Sequence, residues 1–253
     1  MSTPYELIYW KGAPARGEHI RLCFEETGTP YSDTARLENC NEIVPQYIKA
    51  DYLGDKSTPP YYAPPLFKHG DLMISQTSNI LMYVAPKIGL APKTGDDIYK
   101  LNALALTALD GLSNEVHDCH HPIAHDLYYE DQVEESIRRS KDWVKSRLPK
   151  HLGFWQRVIQ GESSGEGPWV YGGNLTYVDL VLFQCIDGVL YAFPRAMKAA
   201  KESGKYNRVF ELYGAVKARP RIAGYLASER RQEYTIGIYR YYKELDVVAE
   251  DSS

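Results

Sequence analysis

From Pro92 onward the chain shows no strand-like alternation, only long stretches with apolar residues at helical spacing. Residues 96–121, 130–160 and 176–191 are the longest, and shorter ones cover 194–202, 205–218 and 220–231. So many consecutive helices must bury their apolar faces on one another, which predicts an all-α domain. The residues before Pro92 follow a different rule. Residues 5–10 (YELIYW) form a β-prone run, residues 16–28 a helix stopped by Gly28, and residues 31–35 a second strand. Strand, helix and strand in that order predict a parallel, right-handed unit. Two short apolar runs, Leu66–Phe67 and Leu72–Ile74, flank His69-Gly70-Asp71 as a hairpin, and a helix over 76–88 ends at Gly89. Residues 39–62 are irregular with room for a short helix. The order is therefore an α+β domain, β-α-β-α-β-β-α, over residues 1–88, a linker at 89–93, and an all-α domain over 94–253.

A chain of 253 residues is comfortable for two small domains. The formal net charge is −4 and no basic run is present, which argues against nucleic acid as a partner. The N-terminus lacks the basic-then-apolar order of a signal peptide, and no apolar run approaches a membrane span. Cys23, Cys40, Cys119 and Cys185 are scattered without metal-type pairing, which suits free thiols in a reducing compartment and predicts a cytoplasmic protein away from membranes. The only biased segment is the acidic tail at Glu250-Asp251. Twenty-one tyrosines against six phenylalanines predict many half-buried rings with wet hydroxyls.

Four motifs carry candidate chemistry. Pro64-Pro65 precedes a strand and reads either as a rigid turn or as a cis bond turning backbone groups toward a ligand. Gln76-Thr77-Ser78 opens a helix, where a plain N-cap and an anion site on free N–H groups look alike in sequence. Thr176-Tyr177-Val178-Asp179 is a capping box, with Asp179 returning to the Thr176 amide. His117, His120 and His121 are spaced to share one helix face. With no second ligand set apparent they read as lining a pocket or packing, and no metal is expected.

In order and spacing these features resemble the cytosolic glutathione transferase superfamily over nearly the whole chain. The matching residues are Leu7-Ile8-Tyr9-Trp10, Arg16-Gly17-Glu18-His19-Ile20-Arg21, Pro65 to Gly70, Gln76-Thr77, Asp110-Gly111 and the capping box. The resemblance implies a thioredoxin-like first domain, glutathione as co-substrate, a homodimer and a role in detoxification. By position it makes Tyr9 the group that activates the thiol, since residues 11–19 contain no Ser, Thr or Cys. A tyrosine hydroxyl donating to sulfur would stabilise the thiolate, which would attack a hydrophobic electrophile. Gln76 and Thr77 would hold the glutamyl end of glutathione, Ala63, Pro64 and Pro65 would face its cysteinyl backbone, and Asn114 would reach the glutamyl amine across a dimer. Trp10, His117, His120 and His121 would line the electrophile pocket, His120 foremost.

Two positions depart from the family pattern. Pro64 has no N–H to offer glutathione if Pro65 is the cis residue; otherwise Ala63 does the pairing. Glu18 stands where some tyrosine classes carry Arg, and a carboxylate there must be paired or turned away. The expected activity is conjugation, with a glutathione-dependent isomerase, a specialised biosynthetic transferase, or a non-catalytic binding protein of the same fold as alternatives.

Overall fold

A computed structural model describes residues 5–248, so Glu250-Asp251 lie outside the described residues. The chain opens with β1 (Tyr5–Ile8), α1 (Ala15–Thr27) and β2 (Ser32–Asp33), then two single-turn helices, α2 (Cys40–Ile43) and α3 (Pro45–Ile48). The hairpin strands β3 (Leu66–His69) and β4 (Leu72–Ser75) and helix α4 (Thr77–Ile88) complete the expected order. The sheet runs β2-β1-β3-β4, with β1 parallel to β2 and antiparallel to β3, and β3 antiparallel to β4.

Period-two alternation divides the core of this unit. Leu7 pairs with Phe67 across β1 and β3, and the Phe67 ring stacks on Phe24 of α1 with centroids 5.9 Å apart. Ile8 and Leu66 point to the opposite face, where Val44 and Tyr61 join them and Trp10, Ile43 and Met73 pack alongside. Each fully buried side chain of this size is worth about 1.5–3 kcal/mol, so both faces of the sheet hold it in register. Gly28 (φ 67°) and Gly89 (φ 84°) end α1 and α4 in the left-handed conformation that glycine adopts freely.

The second strand is shorter than expected. The Asp33 carboxylate accepts the Ala35 N–H at 3.1 Å and starts a 3₁₀ turn over Thr34–Arg36, ending the ladder. The stretch 39–62 contains two short helices in place of one.

The helical part begins with α5 (Asp97–Leu109), continues through a π-helical turn (Asp110–Asn114), and ends in α6 (Glu115–His117). The expected helix to 121 therefore stops at His117. Pro122 disfavours helical backbone at the residue before it, and residues 118–120 form a turn. The stretch 130–160 is α7 (Val133–Asp142), a π-helical segment (Trp143–Arg147) and α8 (Leu148–Gln160). Then come α9 (Tyr177–Ala192), α10 (Pro194–Glu202), α11 (Asn207–Lys217) and α12 (Pro220–Leu226).

Helix α9 is buried almost all round, as befits the centre of a helical core. Its capping box forms as expected: Asp179 accepts from the Thr176 N–H at 2.7 Å and also from the Val170 N–H at 2.8 Å. Asp246 takes the same role for α10, accepting from the Arg195 and Ala196 N–H groups at 2.8 and 3.1 Å. No single helix among the described residues is long and apolar enough to cross a membrane.

Two compact units result. Residues up to Ile98 form the first together with Arg219–Glu233, and Tyr99–Ala218 with Tyr234 onward form the second. The linker read from the sequence lies at 89–93, inside the first unit, and α12 packs in that unit although it follows the helical stretch in sequence.

Candidate functional site

The register of the sheet assembles one edge of the first unit. Ile8 pairs with Leu66 and Leu66 with Ser75. The next residue beyond that row on each strand is Tyr9 after β1, Pro65 before β3 and Gln76 after β4. Three of the sequence-derived candidates thus stand side by side at one end of three neighbouring strands. Two strand spacings, about 9.5 Å, separate the first from the last.

Tyr9 is held from two directions. Its N–H donates to Thr34 Oγ1 at 2.9 Å, and the Thr34 hydroxyl donates back to the Tyr9 carbonyl at 3.0 Å. Its ring lies against Gly17, where an added Cβ would come within 2.8 Å of ring carbons. The phenol oxygen accepts the Arg16 N–H at 3.2 Å, in the first turn of α1. Burial is the largest influence on the phenol and raises its pKa. The Arg16 N–H and the Arg21 charge oppose burial only in part. Tyr9 therefore keeps its proton at neutral pH, with the oxygen occupied as an acceptor and the O–H able to donate.

The same Arg16 peptide reaches the third strand, because its carbonyl accepts from the Thr77 hydroxyl at 3.4 Å. Two non-glycine residues with left-handed backbone flank this contact: Ala15 at φ 41°, just before Arg16, and Gln76 at φ 72°, just before Thr77. Such conformations cost of order 1–3 kcal/mol each and gather at functional sites. The Gln76 side chain is exposed and makes no capping bond to α4, so the plain N-cap reading does not describe it. Thr77 is buried.

The cis bond joins Pro64 to Pro65, so Pro65 is the cis residue and Pro64 precedes it. Pro65 is buried, Pro64 half-buried and Ala63 exposed. The residue before the cis-proline thus offers a carbonyl and no N–H. Trp10 is half-buried and packs with the group around Ile8 and Leu66.

Glu18 is fully buried and paired. Its carboxylate accepts from the Tyr225 hydroxyl at 2.7 Å and contacts Arg231 at 2.5 Å and Arg21 at 3.2 Å. Arg21 in turn binds Asp33 at 2.7 Å. Burial by itself would raise the Glu18 pKa, but the charges of Arg231 and Arg21 and the Tyr225 hydroxyl together hold it below the usual range. The Glu18 carboxylate is thus paired with the Arg21 and Arg231 guanidinium groups, as a carboxylate at this position must be.

Sequence reading missed Thr34, the Arg16 peptide and the partners supplied by α12 and its sequel, including Gln232, whose side-chain oxygen accepts the Gly12 N–H at 2.9 Å. Only Arg21, three residues after Glu18, carried a local signal.

The remaining candidates belong to the second unit. Asn114 ends the π-helical turn, its amide donating to the Asp110 carboxylate at 3.3 Å. His117 is half-buried, while His120 and His121 are buried and lie in the turn beyond the helix. Desolvation pushes the His120 imidazole down to about 2, and its Nε2 meets the Gly237 carbonyl at 3.2 Å.

A four-stranded mixed sheet with helices, followed by a helical stretch, is the two-part arrangement the resemblance implies, and Tyr9, the cis Pro65 and Gln76 stand together at one end of the sheet. A family model described as "Glutathione S-transferase, C-terminal domain" matches residues 117–229. Glutathione S-transferase Mu 2 of Mus musculus is 23% identical over 231 residues, covering 90% of this chain and 92% of its own. The glutathione S-transferase of Plasmodium falciparum is 24% identical over 196 residues, 76% of this chain and 83% of its own. The structure of rat hPGDS complexed with a quinoline superposes with a TM-score of 0.63 at 21% identity, covering 88% of this chain and 95% of that one. Residues 117–229 thus match the glutathione S-transferase C-terminal domain, and over most of its length the chain is similar to glutathione S-transferases.

Proposed function

We propose that Tyr9 activates the thiol of glutathione for conjugation to a hydrophobic electrophile. The observation that carries this reading is the bond from the Arg16 N–H to the Tyr9 oxygen, which leaves a protonated phenol with its own O–H to give. A free thiol of pKa about 8.5 is mostly protonated at neutral pH. An O–H donated to sulfur lowers that value, each unit being worth about 1.4 kcal/mol. The thiol proton passes to water, the thiolate attacks the electrophilic carbon, and the C–S bond forms as the leaving group departs with its electron pair.

The spacing of the sheet edge supports a tripeptide lying across it. Three extended residues span about 10 Å, close to the two strand spacings between Tyr9 and Gln76. In this reading Gln76, Thr77 and the free N–H groups opening α4 receive the glutamyl carboxylate. Pro64, through its carbonyl, and Ala63 and Pro65 flank the cysteinyl backbone. The N-terminal end of α1 adds favourable charge near the sulfur. Asn114, and a pocket lined by Trp10, His117, His120 and His121, complete the assignment by family position, in a cytoplasmic homodimer.

Glutathione binding is tested by thermal unfolding, because a ligand specific for the folded state must raise Tm. Millimolar glutathione raises Tm of the wild type, and Gln76→Ala, at an exposed position, weakens the effect about tenfold in apparent affinity. No shift in the wild type would favour a non-catalytic protein of the same fold.

A further inference from the structure

Four of the seven histidines lie within residues 117–125, and the turn after α6 gathers them around one ring. The His117 centroid is 5.0 Å from those of His120 and His121 and 4.9 Å from that of His125. Donor atoms of His117, His120 and His121 all lie within 4.8 Å of one another, and so do those of His117, Asp118 and His125. We propose that His117, His120 and His121 form a binding site for a first-row transition metal, zinc(II) first among them.

Three features beyond proximity support it. The Gly237 carbonyl can only accept, so His120 Nε2 carries the proton and Nδ1 keeps its lone pair for a ligand bond. A backbone carbonyl on the far nitrogen is the usual way a ligating imidazole is oriented. The loop that follows, which carries His125, is pinned by the buried Gln132, whose amide nitrogen also lies 3.4 Å from His121 Nδ1. The Gln132 side-chain oxygen accepts the Ile123 N–H at 3.0 Å, and its amide donates to the Ala124 and Leu127 carbonyls at 3.1 Å each. Finally, the half-buried His117 and exposed His125 leave a path for an ion to enter, while His120 and His121 are buried.

Charges around the cluster act both ways. Arg240 opposes a cation, but its Nε is engaged by the same Gly237 carbonyl at 3.2 Å. Asp118 offers a carboxylate within 4.8 Å of a His117 nitrogen and is itself 3.7 Å from Arg139. A tetrahedral zinc with Zn–N of about 2.05 Å needs nitrogens about 3.3 Å apart, so the rings close by up to about 1.5 Å on binding. Three imidazoles leave a fourth position open. The ligand set is nitrogen-rich and free of thiolate, which suits Zn, Ni or Cu over Mg or Ca.

The test is titration of the untagged, full-length, metal-free protein with zinc alone, followed by calorimetry and by Tm. One zinc is expected per chain with a Kd near about 1 μM, and His117→Ala weakens binding 10- to 100-fold. His69→Gln, outside the cluster, leaves binding unchanged. Because His120 and His121 are both buried, the half-buried His117→Ala is the primary variant and His121→Asn, which keeps a polar side chain, the second, each checked for wild-type Tm in the absence of metal. No binding at about 100 μM zinc, or equal binding by wild type and His117→Ala, would overturn the proposal.

Discussion

The Arg16 N–H donates to the Tyr9 hydroxyl oxygen at 3.2 Å, seven residues away in sequence and at the first turn of α1. The position of the phenol is thus set by the backbone of a helix, and anything that shifts that helix start shifts the proposed thiol activator.

Gly17 is the most direct lever on this arrangement. Its missing Cβ leaves room for the Tyr9 ring, and the nearest ring carbons stand 2.8 Å from where that atom would be. Gly17→Ala overpacks the contact at about 1–3 kcal/mol, small enough for the protein to fold. The ring is displaced from the Arg16 N–H, so kcat/KM falls by more than about tenfold while far-UV circular dichroism is unchanged. Wild-type kcat/KM in this variant would show that the ring position does not matter.

The buried Glu18 cluster predicts an acid sensitivity with a defined sign. The folded state holds the Glu18 pKa below the ordinary value of 4.5, so its contribution is present above about pH 4.5 and lost as pH falls through the lowered value. Glu18→Gln removes a fully buried carboxylate from its ion pairs with the buried Arg21 and the half-buried Arg231 and costs about 3–5 kcal/mol at pH 7. Urea unfolding from pH 7 down to about pH 4 and below should show a shallower acid loss in the variant than in the wild type. Parallel pH profiles would contradict the pairing.

How much of this was legible in sequence depends on how local each signal is. The hairpin around Gly70, the stop at Gly28 and the Thr176–Asp179 box are written within a few residues, and all three formed. Tyr9 could be singled out because the family resemblance implies a tyrosine at the end of the first strand, and residues 11–19 offer no Ser, Thr or Cys. Its partner Thr34 lies 25 residues away, and the partner Tyr225 of Glu18 lies 207 residues away, where no periodicity or turn chemistry connects them. The same holds for α12, which reads as one more helix of the second domain and instead packs with the first. The histidine spacing predicted proximity correctly, although the backbone that delivers it is a turn ended by Pro122.

Asp179 offers a stability prediction independent of the site. It accepts from the Thr176 N–H, the Thr176 hydroxyl at 2.9 Å and the Val170 N–H. Asp179→Ala removes the cap, about 1–2 kcal/mol, and strands the buried Val170 N–H at about 1–3 kcal/mol more. Chemical denaturation should register a loss of about 2–5 kcal/mol, and a loss below about 1 kcal/mol would mean that solvent replaces these bonds.

The central claim rests on the phenol of Tyr9, and the pH profile of kcat/KM for Tyr9→Phe tests it most directly. The variant should still bind glutathione, lose about 10²-fold in kcat, and show the thiol pKa displaced upward by about one to two units. A Tyr9→Phe enzyme with wild-type turnover and an unmoved pH profile would contradict it.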